Sequence, residues 1–250
     1  MPVADVAGLL RRCAAEVAAA LERVEDRAAA GDRPDQYALD LVADEAALAV
    51  LDAEGVGVLS EESGATGLDR DLVVVVDPVD GSANASRSLP PCAASLCAVD
   101  RDGPVAALVV DLATGRSFEA ARGAGAWSGG VRLRVSGCRS LAGAFVALSG
   151  PAPAGRPWAG MRALGAAALE LAHVAAGGFD AYVNTDDDHH GVWDYLAGAL
   201  LVEEAGGVVA DAGGRPLAVL DPAARRSPVA AATEELLGEV LALRRGAAVR

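Results

Sequence analysis

Apolar residues recur at helical spacing from the start of the chain. Val6, Leu9, Leu10, Cys13, Val17 and Leu21 share one face, which predicts an amphipathic helix over residues 3–30. A second helix is predicted over 37–51, and the link Gly31-Asp32-Arg33-Pro34-Asp35 between them is polar and reads as a mobile connection. The period then changes. Residues 56–59 form a short strand, and 72–76 are an unbroken β-branched run, as expected of a central strand buried on both faces. This run stops at Asp77-Pro78-Val79-Asp80-Gly81-Ser82. Segments 93–99, 106–111, 117–121 and 144–148 read as strands between Asp, Gly and Thr turns, giving a meandering antiparallel sheet. The second half alternates: helix 166–176, strand 180–184, helix 193–205, strand 208–210 and a last helix over 233–245. With no repeat and no low-complexity linker, the pattern predicts one layered α/β (α+β) domain over 1–250, with subdomains of about 1–140 and 141–250.

Composition narrows the classes. Of 250 residues, 52% are apolar, enough for a sizeable core, yet Asp, Glu and Arg interrupt them throughout. No stretch approaches the roughly 20 uninterrupted apolar residues of a membrane-spanning helix. The N-terminus shows no apolar segment followed by a small-residue cleavage site. A cytoplasmic protein without a membrane partner is expected. The net charge of −14 argues against nucleic acid as a partner, because phosphate backbones need a basic surface, and it suits a protein that gathers divalent cations. All 21 basic side chains are Arg. Cys13, Cys92, Cys97 and Cys138 include no Cys-x-x-Cys pair and read as small core hydrophobes, with no ligand set for zinc.

The acidic residues carry the chemistry. Asp77 and Asp80 stand three apart at the end of the buried run. Pro78 bends the chain and Gly81 permits close backbone approach, so both carboxylates can converge at the carboxyl end of the strand, where α/β proteins place their sites. Hard oxygen ligands of this kind suit Mg²⁺. Taken alone, the hexapeptide is equally a solvated Asp-Gly turn. Glu61 and Glu62 also follow a strand, where a Glu pair is ordinarily surface, and Asp194 opens a helix, where Asp is ordinarily an N-cap. Together the three segments read as an acidic metal cluster.

These segments resemble the motifs of the inositol monophosphatase-like family, the lithium-sensitive, Mg-dependent phosphatase superfamily. Leu59-Ser60-Glu61-Glu62-Ser63 is similar to its first motif, and Asp77-Pro78-Val79-Asp80-Gly81-Ser82-Ala83-Asn84 to its signature. Trp193-Asp194-Tyr195-Leu196-Ala197-Gly198, running on to Glu203-Glu204-Ala205-Gly206-Gly207, is similar to its C-terminal motif. The order is the family's, and the similarity extends over about residues 37–214. The resemblance implies the alternating αβαβα sandwich of the inositol monophosphatase and fructose-1,6-bisphosphatase superfamily. It also implies hydrolysis of a small soluble phosphate monoester by metal-activated water, Mg²⁺ as cofactor (two or three ions per site), a homodimer and inhibition by Li⁺.

Carried over residue by residue, Glu61, Asp77 and the Val79 carbonyl hold one ion, and Asp77, Asp80 and Asp194 a second. Ser82, where the family usually has Thr, orients the attacking water. Asp44 partners that hydroxyl and helps a third metal; with Glu61, these two are the implied catalytic residues. Asp80, Gly81, Ser82, Ala83, Ala167, Asn184 and Asp194 are the implied substrate contacts, with the N–H groups of residues 81–83 meeting phosphate at a helix N-terminus. The chemistry agrees: paired metals supply both a nucleophilic water and charge neutralisation, so no protein nucleophile is needed.

Departures from the family pattern bear on the substrate. Ala166 stands where the family has Ser or Thr, and Asn184 where inositol-phosphate enzymes carry Glu. The stretch Thr185-Asp186-Asp187-Asp188-His189-His190-Gly191 is longer and more acidic than usual. It reads as a solvated loop, as a specificity loop whose Asp or His contacts a polar or cationic leaving group, or as a separate metal site at His189 and His190. Residues 31–36 lack the Lys often found near the third metal, and Arg162 and Asp180 match a structural pair. Inositol 1-phosphate is the default substrate; histidinol phosphate and sugar, cyclitol or nucleotide phosphates are alternatives. 3′-Phosphoadenosine 5′-phosphate is disfavoured, because its second phosphate would meet an acidic wall. The alternative of another class is a non-catalytic regulatory or binding protein on the same fold, against which stand four retained acids.

Overall fold

The computed structural model describes residues 3–33, 36–153, 155 and 157–247, so Pro34 and Asp35 of the first link lie outside the described residues. The first half runs α1 (Val3–Glu22), α2 (Ala38–Ala53), β1 (Gly57–Ser60), β2 (Gly64–Thr66), β3 (Val73–Asp80), the short α3 (Ser82–Ala85), β4 (Ala93–Asp100), β5 (Gly103–Asp111), β6 (Ser117–Ala121), β7 (Gly125–Ser128) and β8 (Val131–Arg132). The second half runs β9 (Phe145–Ser149), β10 (Gly160–Arg162), α4 (Ala167–Ala175), β11 (Ala181–Asn184), α5 (Val192–Glu204), β12 (Val208–Asp211), β13 (Pro228–Ala231) and α6 (Glu234–Ala247).

The four valines at 73–76 show how the layers arise. Alternate side chains of a strand point to opposite faces. Val74 and Val76 pack with Leu9, Leu39 and Ala43 of α1 and α2, whereas Val73 and Val75 pack with Leu196 and Leu200 of α5. A strand covered on both faces has no polar side, hence the continuous apolar run. At about 1.5–3 kcal/mol per buried Val, this run is a principal stabilising element.

The same logic repeats across the molecule. An eight-stranded sheet (order β2-β1-β3-β4-β5-β6-β7-β8) and a five-stranded sheet (order β10-β9-β11-β13-β12) flank the α4–α5 layer. The α1–α2 pair covers the outer face of the first sheet, and α6 that of the second, through Leu236 and Val240 against Val146 and Val183. The result is the expected αβαβα sandwich. Between two sheets, α5 is buried from Val192 to Val202 at every position but Asp194, so it lacks a polar stripe.

The elements differ from the sequence reading in three ways. Helix α1 ends at Glu22 rather than near residue 30: Arg27 donates to the Leu21 carbonyl (3.2 Å), and Val24 turns into the core. The described part of the polar link is tied down, since buried Gln36 accepts the Asp32 and Arg33 N–H groups at 2.8 and 3.1 Å. Strands β2, β7, β8, β10 and β13 were not expected. The Pro-Val-Ala-Ala of β13 has weak β-propensity and is a strand because β11 and β12 hydrogen-bond it on both sides. All four cysteines are free thiols, three buried and Cys138 half-buried. Among the described residues, no helix is long and apolar enough to cross a membrane.

Candidate active site

Strand β3 does not stop before the acidic hexapeptide but carries it. Its pairing with β4 sets Asp77 opposite Ser95 and Asp80 opposite Ala93, so one extra residue is accommodated between them as a bulge. In a regular strand, residues three apart face opposite sides; the extra residue cancels that alternation and turns both aspartates toward α4 and α5. Val79 faces the other way into the α1–α2 core, its N–H donating to Asp77 Oδ1 at 3.0 Å. Next to β3, strand β1 runs parallel, and the Glu61 N–H donates to the Val76 carbonyl at 3.1 Å, which sets Glu61 beside Asp77. Asp194 arrives from the first turn of α5, where its Oδ2 accepts the Gly191 N–H at 2.9 Å. One carboxylate oxygen each from Glu61, Asp77 and Asp194 then lies within 4.8 Å of the others.

Asp80 stands slightly apart from this trio. It caps α4, accepting the Ala167 and Ala168 N–H groups at 3.2 and 2.7 Å, and lines the same cavity as Glu61 and Asp194. That cavity measures about 480 Å³ and is also bordered by Glu170, His190 and Arg225. Ala166 and Ala167 line it too, without a hydroxyl to offer. A second cavity of about 580 Å³ holds the other side of Glu61, with Ser82, Ser60 and Glu62.

The donor set fits a hard divalent cation. Three carboxylates from three different elements converge, and among the described residues no arginine forms an ion pair with Glu61, Asp77 or Asp80. Burial raises Glu61 to about 8, reinforced by Asp194, Glu62 and Asp80. Burial likewise raises Asp77 well above the carboxylate range, with Glu61, Asp80 and Asp194 adding to it. Burial and Asp194 raise Asp80 to about 7, against the stabilising Ala168 N–H. Burial and mutual repulsion thus favour the protonated forms of Glu61, Asp77 and Asp80, and a dication would offset that repulsion.

Asp44 does not meet Ser82. On β1, Ser60 points away from Glu61 toward α2, and its hydroxyl donates to buried Asp44, which also takes a hydrogen bond from Ser63. Asp44 is therefore engaged by Ser60 and Ser63 rather than by Ser82. Gly81, with φ of 84°, turns β3 into α3. Asn84 then ties α3 to the neighbouring loops, donating to the Pro91 and Leu164 carbonyls at 2.8 Å each. The N–H groups of Ser82 and Ala83 belong to the first helical turn and have no intrahelical acceptor.

Two carboxylates of the acidic loop are engaged away from the acid cluster. Asp187 pairs with Arg244, and Asp188 with Arg215, around a different cavity. Asp187 and Asp188 are thus engaged by arginines around that other cavity, whereas His189 and His190 of the same loop line the acid-cluster cavity. Asn184 is fully buried, and its Oδ1 accepts the Asp186 N–H at 2.9 Å, so it has no surface to present to a substrate. Arg162 and Asp180 do not pair either. Arg162 covers the Phe145 ring, while Asp180 accepts from Ser136 and from the Phe145 N–H.

Two residues take positions at the site other than the ones read from the sequence. His190 is no separate metal site with His189. Its Nδ1 lies 3.0 Å from Asp194 Oδ2, and its Nε2 faces the Tyr182 hydroxyl at 2.9 Å and the Ser149 hydroxyl at 3.3 Å. Asp194 Oδ2 is thus held from two sides, by the His190 ring and by the Gly191 N–H. Burial opposes the imidazolium, but the Asp194 bond and the nearby Asp80 and Glu170 raise its pKa above the ordinary value. Glu170, raised to about 7 by burial, accepts the Leu164 N–H at 2.6 Å and holds the loop that borders the cavity.

The αβαβα sandwich thus sets carboxylates from two strand ends and one helix start around a single cavity, an arrangement able to hold a cation. Residues 2–247 match the model of the inositol monophosphatase family, and the chain belongs to that family. The "Nus factor SuhB" of Pseudomonas aeruginosa is 37% identical over 173 residues, spanning 62% of this chain and 63% of that protein. The chain thus matches just under two thirds of that relative's length. The "Fructose-1,6-bisphosphatase/inositol-1-monophosphatase" of Archaeoglobus fulgidus is 35% identical over 219 residues, covering 85% and 84% of the two chains. Among solved structures, the extragenic suppressor protein SuhB of Bartonella henselae superposes with a TM-score of 0.81 at 28% identity, covering 96% of this chain and 98% of that one.

Proposed function

We propose that this chain hydrolyses a small phosphate monoester in a Mg²⁺-dependent reaction, with water as the nucleophile. The observation that carries the reading is the convergence of Glu61, Asp77 and Asp194 within 4.8 Å, bordered by Asp80 and with no arginine ion pair among the described residues. Glu61, Asp77 and Asp194 would hold the ion, with Asp80 and the Val79 carbonyl beside them. When bound, Mg²⁺ would supply charge for the phosphoryl oxygens and acidify a water. The chain's own contribution is placement. Asp80 and Gly81 fix the end of β3 against α4, the first-turn N–H groups of Ser82 and Ala83 would meet phosphate oxygens, and Glu61 and Ser82 border one cavity where a water can be oriented. Buried α5 keeps Asp194 dry on one side.

A cavity of about 480 Å³ suits a small polar ester rather than a polymer. An amino-alcohol phosphate loses its support, because Asp187 and Asp188 are already paired. A purely regulatory protein has no use for acids buried at this cost, several kcal/mol per uncompensated ion. The test is phosphate release with Mg²⁺ from a panel of monoesters including inositol 1-phosphate and hexose phosphates, run beside Asp77→Asn. Turnover lost in the variant is expected. Silence across the panel, together with no stabilisation by Mg²⁺, overturns the reading.

A further inference from the structure

Arg225 is the one arginine among the described residues that line the acid-cluster cavity, and it also borders the second cavity on the other side of Glu61. Its guanidinium carbon lies 5.1 Å from the centre of the Trp193 ring. That platform is fixed: Trp193 is buried, its carbonyl accepts the Ser95 hydroxyl at 3.0 Å, and Gly191 leaves room where a Cβ would strike the ring. Nη1 donates to the Pro222 and Ala224 carbonyls at 2.9 and 3.0 Å, anchoring one corner of the fork. Among the described residues, Nε and Nη2 have no acceptor, and no carboxylate pairs with the group.

The unused edge is the one whose two parallel N–H groups match two oxygens of a carboxylate or phosphate. The surroundings sharpen the point. Arg33, which borders the second cavity, is taken by Glu62, and Arg215 and Arg244 neutralise the nearby loop acids. In a chain of net charge −14, Arg225 is left as an uncompensated, stacked and half-anchored cation beside the site. A stacked guanidinium loses little further freedom on binding, so it is prepared to hold an anion.

We infer that Arg225 is an anion subsite that reads a second acidic group, a phosphate or a carboxylate, on the substrate. The inference rests on the phosphatase reading of the same cavity. It reverses the expectation of an acidic wall against a second phosphate.

The test uses matched esters that differ by one acidic group: hexose 1-phosphate against hexose 1,6-bisphosphate, and glycerol 1-phosphate against 3-phosphoglycerate. Wild type, Arg225→Met and Arg225→Lys are assayed with Mg²⁺, and their melting temperatures recorded. The wild type is expected to prefer the two-anion member of at least one pair, and which pair shows the preference separates phosphate from carboxylate. Arg225→Met should lower that preference at least about tenfold, through KM rather than kcat, with Arg225→Lys recovering part of it. A ratio unchanged in Arg225→Met, or an equal loss on both members, overturns the subsite while leaving the phosphatase intact. Absence of wild-type turnover on every ester overturns both.

Discussion

His190 holds Asp194 through one ring nitrogen and is itself held by Tyr182 and Ser149 through the other. It therefore fixes the orientation of a cluster carboxylate without occupying the cluster. Removing such a partner ordinarily costs about 10–100-fold in metal affinity. His190→Ala is expected to raise the Mg²⁺ concentration for half-maximal thermal stabilisation by that factor. His190→Asn, which keeps an N–H near the Nδ1 position, should lose less. Melting curves titrated with Mg²⁺ decide it, and variants indistinguishable from wild type would remove the role. The sequence contains the pair at a spacing of four, but it reads as a loop residue before a helix. Only the N-cap turn at Gly191, which brings residues 190 and 194 onto one side, makes the spacing meaningful.

At the scale of elements, the decisive feature is the end of β3. A run of valines predicts a buried strand, and its acidic end was legible as a candidate ligand set. The bulge between Asp77 and Asp80 was not, because it is a property of pairing with β4 rather than of either strand alone. The turn that follows depends on Gly81, whose φ of 84° disfavours side chains and where a Cβ would lie 2.9 Å from the Gly165 carbonyl oxygen. Gly81→Ala is expected to cost about 1–2 kcal/mol from the left-handed backbone alone, with the clash adding to it. Urea unfolding checks this, with Gly55→Ala as the control, since that glycine has a similar φ of 68° but open space around it. Equal losses in the two variants would show that the contact with Gly165 is unimportant.

Over the whole molecule, stability is set by large apolar layers working against a few buried acids. In the metal-free protein, Glu61, Asp77 and Asp80 have pKa values raised above those of the unfolded chain. Below about pH 4 these groups are protonated in both states and cost nothing. As pH rises toward 8 the unfolded chain ionises first, so the folded state binds more protons and stability falls. The melting temperature without metal is thus expected to drop between about pH 5 and 8. Saturating Mg²⁺ should flatten most of that drop, leaving a residual slope from Asp40 and Glu170, which burial also raises to about 7 outside the trio. Identical slopes with and without Mg²⁺ would count against a metal at the cluster.

The order of the five long helices and of the longer strands, the buried valine run and the three acidic segments were determined by the chain itself. Hydrophobic period and short-range turn chemistry are local properties, readable in any window of residues. Tertiary structure decided the rest. It turned Asp77 and Asp80 to one face through a bulge, joined Asp44 to Ser60, paired Asp188 with Arg215 and Asp187 with Arg244, and left Arg225 over Trp193 with no carboxylate partner among the described residues. Each of these outcomes depends on which partner a side chain meets across the sheets and helices. Charge pairing and facing are properties of distances in space, and a linear pattern holds no such distances.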